Sequence, residues 1–198
     1  VKKIAVFASG AGSNAAKIIE RFKSSSLPAD GEKQSPLIEV ALIVCNKPGA
    51  GVLDIAKKNN IPSVLIDKEK FLRGNGYVDE LKAAKIDFIV LAGFLWKVPL
   101  SLIKAFPKKI VNIHPALLPA YGGRGMYGHF VHETVINNRE KETGITIHYV
   151  DELYDHGDII FQVRCPVMPD DTPDTLAQRV HQLEHEHYPE VVRKLLLN

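Results

Sequence analysis

This 198-residue chain is poor in the features that mark special environments. It has two cysteines, Cys45 and Cys165, each inside an apolar run and with no Cys-x-x-Cys spacing. That leaves no basis for a disulfide framework or a zinc ribbon, and points to buried free thiols in a reducing compartment. There is no excess of charge: 25 Lys and Arg against 23 Asp and Glu give a net charge of +2. A dedicated nucleic-acid binder shows a strongly basic face, and none is suggested here. No apolar run approaches the roughly 20 residues of a membrane span. The N-terminus enters a strand directly, without a signal-peptide pattern. A soluble, cytoplasmic protein with small-molecule ligands, and with neither nucleic acid nor membrane as partner, is the expectation. Repeats, low-complexity segments and linkers are also lacking, so one domain is expected over residues 1–198.

What is present is an alternation of strands and helices. Residues 3–8 form a continuous apolar run, the pattern of a strand buried on both faces of a parallel sheet. The turn Ser9-Gly10-Ala11-Gly12-Ser13-Asn14 leads into helical periodicity over residues 15–22. Residues 24–36 are polar with two prolines and read as a surface loop. Strands are predicted at 38–45, 63–66, 88–92 and 110–114, and helices at 52–59, 77–84 and 99–105, the last with Pro99 at its first position. Then follow a glycine-rich loop at 121–128, a helix at 130–136 and an alternating, more exposed strand at 143–150. An acidic loop at 151–158, a strand at 159–167 and a long helix capped by Thr172 or Asp174 complete the chain. Such alternation implies βαβ units, an α/β class and a mostly parallel sheet.

The most informative stretch is Ile110-Val111-Asn112-Ile113-His114-Pro115. Strand side chains alternate, so Asn112 and His114 share one face, and Pro115 ends the strand directly after them. In open α/β sheets ligands bind at that C-terminal edge. The glycine turn matches the loose dinucleotide fingerprint at Gly10, Gly12 and Ala15, but the second strand ends in Cys45-Asn46-Lys47, without the carboxylate that holds a ribose diol. Ser13 and Asn14 beside open N–H groups suit a terminal phosphate better, although a plain helix cap would also use them. Asp155 in the acidic loop is a candidate partner for His114. A carboxylate beside an imidazole favours the protonated ring, and an amide nearby can donate to a developing oxyanion. With no serine elbow and no cysteine near the histidine, direct attack by a substrate amine on an acyl or formyl carbon is the simplest chemistry. An acidic loop can equally be a solvated surface, and spacing alone does not bring Asp155 to His114. His181 and His185 stand at i, i+4, but Gln182 occupies the place of a zincin glutamate, and no metal site is expected.

Taken together, these residues resemble the glycinamide ribonucleotide formyltransferases of purine synthesis, over nearly the whole chain. Asn112-Ile113-His114-Pro115-x-Leu117-Leu118-Pro119 is shared with a wider group of formyltetrahydrofolate-dependent enzymes, and Ala8-Ser9-Gly10-x-Gly12-Ser13-Asn14 resembles this family's phosphate loop. Val90-Leu91-Ala92-Gly93-Phe94, Thr146-Ile147-His148 and the segment from Arg179 through Glu184 to Pro189 also match. The resemblance implies a three-layer, doubly wound, Rossmann-like formyltransferase fold. It implies 10-formyltetrahydrofolate as formyl donor and phosphoribosylglycinamide as acceptor, with no metal, in a monomer or a homodimer. It places catalysis on Asn112, His114 and Asp155. The nucleotide phosphate falls on Gly12, Ser13 and Asn14, and its ribose on Glu184. The folate falls against Leu95, Trp96, Lys97 and Val98, the loop 150–155, Asn112 at its formyl oxygen and, across a gap, Arg73. This chain departs from the family's pattern at Trp96, where an Arg is usual, and in the longer loop at 121–129.

Overall fold

In the computed structural model, residues 1–24 and 37–197 are described; most of the predicted 24–36 loop lies outside them. Seven strands form one sheet: β1 (Lys2–Ala8), β2 (Ile38–Cys45), β3 (Ser63–Leu65), β4 (Phe88–Leu91), β5 (Ile110–His114), β6 (Glu142–Tyr149) and β7 (Ile159–Pro166). Their spatial order is β3-β2-β1-β4-β5-β6-β7. The first five are parallel, and β6 and β7 are antiparallel additions. The chain winds outward from β1 to β3 and then crosses to β4, so the order reverses between β1 and β4. That reversal opens a crevice at the strands' C-terminal ends.

Helices cover both faces, because the central strands are apolar on both. Ile4 to Ala8 are completely buried. On one face, β1 and its neighbours pack against α1 (Ser13–Ser24), α2 (Gly51–Lys58), α6 (His129–Asn137) and α7 (Pro173–Leu197). On the other they pack against α3 (Lys68–Arg73), α4 (Val78–Ala83) and α5 (Leu100–Ala105). The three-layer, doubly wound architecture expected above is therefore present. Tyr188 on α7 is fully buried and donates its hydroxyl to the Leu91 carbonyl at 2.8 Å, tying α7 to the middle of the sheet.

Three expectations need correcting. Pro99 is the residue before α5, not its first position, and has extended backbone (ψ 151°). Helix α3 was not foreseen: six mostly polar residues carry little periodicity, but Asp67 caps them by accepting from the Lys70 N–H at 2.9 Å. The third concerns β6, which is not exposed; Thr143 to His148 are all buried. Of its buried polar side chains, Thr146 and His148 are satisfied internally, while the Thr143 hydroxyl has no partner among the described residues. Thr146 donates to the Ala116 carbonyl at 2.7 Å and accepts from the Leu118 N–H at 2.9 Å, so the segment after β5 covers this face. Thr172 rather than Asp174 caps α7, accepting from the Thr175 N–H at 3.2 Å.

One buried group adds a pH dependence. His132 on α6 is 2% exposed, and among the described residues its Nδ1 has no partner. Burial, with His181 adding to it, pushes its pKa down to about 4. The unfolded chain then binds the extra proton first, so this contribution is complete above about pH 6.5 and is lost as pH falls toward 4. The full shift corresponds to a loss of as much as about 3 kcal/mol. His132→Gln is expected to flatten the fall in unfolding free energy between pH 6.5 and 4, measured by urea titration; a slope equal to wild type would count against it.

Candidate active site

The glycine turn and strand β5 reach the crevice from different sides of the sheet's midline. Gly12 takes φ +82°, and a Cβ there would lie 2.8 Å from the Val52 side chain, so only glycine fits between the turn and α2. Helix α1 starts at Ser13, and the first N–H groups of a helix have no partner within it. The turn therefore presents open donors and the positive end of a helix dipole.

Asn14 has a more particular role than a helix cap. Its amide donates to Glu184 Oε2 at 2.9 Å, and its own Oδ1 is buried without a partner among the described residues. Glu184 is 4% exposed and also accepts from His181 Nδ1 at 2.9 Å. The pair thus offers acceptors, suited to hydroxyl donors such as a ribose diol. His181 and His185 stack face to face at 6.3 Å, with His181 turned to Glu184. Among the described residues, no group of three or more His, Cys, Asp and Glu is placed to hold a metal.

At the end of β5, the sequence-predicted trio converges. Asp155 comes from the turn before β7 and has φ +51°. Its Oδ2 lies 3.6 Å from His114 Nδ1 and accepts from the Gly123 N–H at 3.0 Å. Its Oδ1 lies 3.4 Å from the Asn112 amide nitrogen and 3.7 Å from His148 Nε2. His114 Nε2 meets the Tyr121 carbonyl at 2.7 Å. A carbonyl only accepts, so Nε2 carries the hydrogen and Nδ1, facing Asp155, is where a second proton enters.

The protonated His114 expected from the sequence is not favoured here. Burial pushes its pKa down, and this outweighs the upward pull of Asp155 and the Tyr121 carbonyl. Asp155 itself stays below the usual carboxylate range: burial raises it, but the two histidines and the Gly123 N–H together lower it further. The resting pair is a neutral imidazole beside an ionised carboxylate.

His148, which the sequence places in a family-matching stretch without a role, belongs to this cluster. It is 2% exposed, pairs in register with Asn112 across β5 and β6, and accepts the Asn112 amide at 3.1 Å. Its Nδ1 hydrogen goes to the Tyr149 carbonyl at 2.8 Å, which leaves the Nε2 lone pair for Asn112. The available signal was its place two residues after Thr146 on a paired strand.

One cavity of about 550 Å³ joins these parts; Gly12, Ser13, Asn14, Asn112, His114, Asp155 and Glu184 all line it. Among the expected folate contacts, Leu95 lines it, with its N–H held by the Ser9 hydroxyl at 2.9 Å. The others do not. Trp96 is turned against Phe71 and Phe94, at 5.9 and 6.3 Å between ring centres. Val98 is buried in the core of that face, Lys97 is exposed, and Arg73 is an exposed α3 residue paired with Glu69 at 3.3 Å. The glycine-rich loop contributes Gly123 to Gly128 instead.

Comparison with known proteins places the chain as a whole in a family. The formyl transferase family matches residues 2–192. A chloroplastic phosphoribosylglycinamide formyltransferase of Arabidopsis thaliana is 44% identical over 196 residues, covering 96% of this chain and 64% of that protein. The chain thus spans less than two thirds of that relative, and 61% of its Vigna unguiculata counterpart. The Bacillus subtilis phosphoribosylglycinamide formyltransferase is 38% identical, with 99% of this chain and 95% of that protein covered. A crystal structure of the Bacillus halodurans protein of that name superposes with a TM-score of 0.85 at 40% identity, covering 98% of this chain and 95% of that one. Matched across nearly all its length in sequence and in fold, the chain belongs to the formyl transferase family.

Proposed function

We propose that this chain transfers the formyl group of 10-formyltetrahydrofolate to the glycinamide amine of 5'-phosphoribosylglycinamide. The observation that carries this reading is the shared cavity lined both by the phosphate-type turn at Gly12 to Asn14 and by the Asn112, His114 and Asp155 cluster. The names of the relatives supply the substrate class. The nucleotide lies between the α1 N-terminus and Glu184, with its ribose hydroxyls toward the acceptors of Glu184 and Asn14. The folate enters beside Leu95 and Tyr154, which line the opposite side.

In the reaction the amine nitrogen attacks the formyl carbon. A C–N bond forms, the carbonyl oxygen becomes an oxyanion, and the bond to the folate nitrogen then breaks as that nitrogen takes a proton and the amine loses one. Asn112 donates to the oxyanion, exchanging its long 3.4 Å contact to Asp155 for this shorter one. His114 relays the proton at Nδ1, where Asp155 stabilises the imidazolium while it exists. A neutral resting imidazole is able to accept the amine proton, as this step requires.

The test supplies both substrates to the purified protein and follows formylated nucleotide and free formate separately. Formyl transfer to the amine is expected; formate release that ignores the amine would replace the reading with hydrolysis. Ser13→Ala combined with Asn14→Ala should raise the nucleotide KM about tenfold or more, since two hydrogen-bonding side chains are lost, and leave the folate KM nearly unchanged. Equal effects on the two would remove the phosphate assignment.

A further inference from the structure

We propose that Arg124 is the cation that receives the phosphate of the nucleotide, an assignment that rests on the acceptor site described above. The cavity otherwise opposes a phosphate. Two carboxylates line it, Asp155 and Glu184, and the latter's neighbour His181 is already engaged with it at 2.9 Å. A phosphate monoester brings about −1.5 to −2 charges, while a helix N-terminus offers only about half a positive charge. Among the described residues, Arg124 is the one lysine or arginine that lines the cavity. Among the described residues its side chain has no hydrogen-bond or ion-pair partner, unlike Arg21, Arg164 and Arg179, which pair with carboxylates.

The residues before Arg124 fix where it can reach. Tyr121 accepts from His114 at 2.7 Å, and Gly123 donates to Asp155 at 3.0 Å, so the loop is pinned to the cavity floor on the residue before the guanidinium. In the same cavity Asn14, 8% exposed, keeps its Oδ1 buried without a partner among the described residues, an acceptor that suits a hydroxyl of the ligand and leaves the anionic group to the guanidinium. A guanidinium matches phosphate oxygens with two parallel N–H groups, which a lysine cannot reproduce.

The experiment compares wild type with Arg124→Ala and Arg124→Lys, using ribose 5-phosphate and ribose in calorimetric titrations and, in turnover, phosphoribosylglycinamide and its dephosphorylated counterpart. Arg124→Ala should weaken ribose 5-phosphate binding about tenfold or more and raise the nucleotide KM similarly, as expected for losing a charged hydrogen-bonded pair. Effects on the dephosphorylated acceptor and on the folate KM should stay within about twofold, and Arg124→Lys should fall between the extremes. Arg124 is exposed, so thermal stability is expected to be unchanged. Equal ribose 5-phosphate binding by wild type and Arg124→Ala would overturn the assignment, as would equal losses with and without the phosphate. Should wild type formylate no glycinamide yet bind ribose 5-phosphate more tightly than Arg124→Ala does, the acceptor reading fails and the Arg124 assignment stands.

Discussion

Asp155→Asn is expected to lower kcat by roughly three orders of magnitude while leaving the nucleotide KM within about threefold of wild type. The change keeps size and shape but removes the charge and turns one acceptor into a donor. The carboxylate has four neighbours: the Gly123 N–H, the Asn112 amide and the two imidazoles of His114 and His148. An asparagine amide group would face at least one donor with a donor of its own. It would also lose the attraction that partly offsets the burial of His114, whose pKa would fall further, so the proton relay would weaken at neutral pH. Any residual activity should show its acidic limb moved to lower pH. Steady-state kinetics with each substrate varied decide the matter, and a variant within tenfold of wild-type kcat would dissolve the cluster as a catalytic unit. The nucleotide end changes little because Asn14 and Glu184 bond to each other, not to Asp155, and the oxygen of an asparagine can still accept the Gly123 N–H that anchors the Arg124 loop.

The parts of this site that could be read in the sequence are those fixed by local rules. Asn112 and His114 share a face because strands have a period of two, and Pro115 marks the edge where they emerge. The Gly12 turn announces itself because a strand, a glycine and a helix N-terminus occur in immediate succession. Long-range packing decides the rest. Asp155 reaches His114 only because β6 pairs antiparallel with β5 and carries the following loop back over the strand ends. His148 was obscured by its own pattern: polar residues alternating with isoleucines look like a solvated face. Here the Leu118 segment and Gln162, which donates to Thr146 at 2.8 Å, supply the partners that water would otherwise provide. Trp96 illustrates the opposite case. A motif position suggested a ligand contact, and the aromatic group of Phe71 and Phe94 claims its ring.

The same dependence on packing makes Gly157→Ala the most damaging small change near the site. Gly157 is buried two residues after Asp155. A Cβ built on it would stand 1.9 Å from the Tyr149 carbonyl oxygen and 2.8 Å from the carbonyl carbon, with the Asp151 nitrogen at 3.4 Å. These are backbone atoms and cannot rotate away. The Tyr149 N–H is also bonded to the Asp158 carbonyl at 2.9 Å, so loop and strand end are clamped together where the methyl group must enter. Relief requires the loop to move outward by an ångström or more, which breaks that clamp and takes Asp155 with it. The Tyr149 carbonyl is the acceptor that sets the His148 tautomer, so the second imidazole loses its orientation at the same time. Overpacking against fixed backbone predicts a stability loss of about 2 to 4 kcal/mol. A displacement of this size predicts kcat lower by about a hundredfold or more for the protein that remains folded. Urea titration and active-site-normalised kinetics measure the two separately. A loss of stability with unchanged kcat would show that the loop holds Asp155 by contacts other than its anchor at Tyr149.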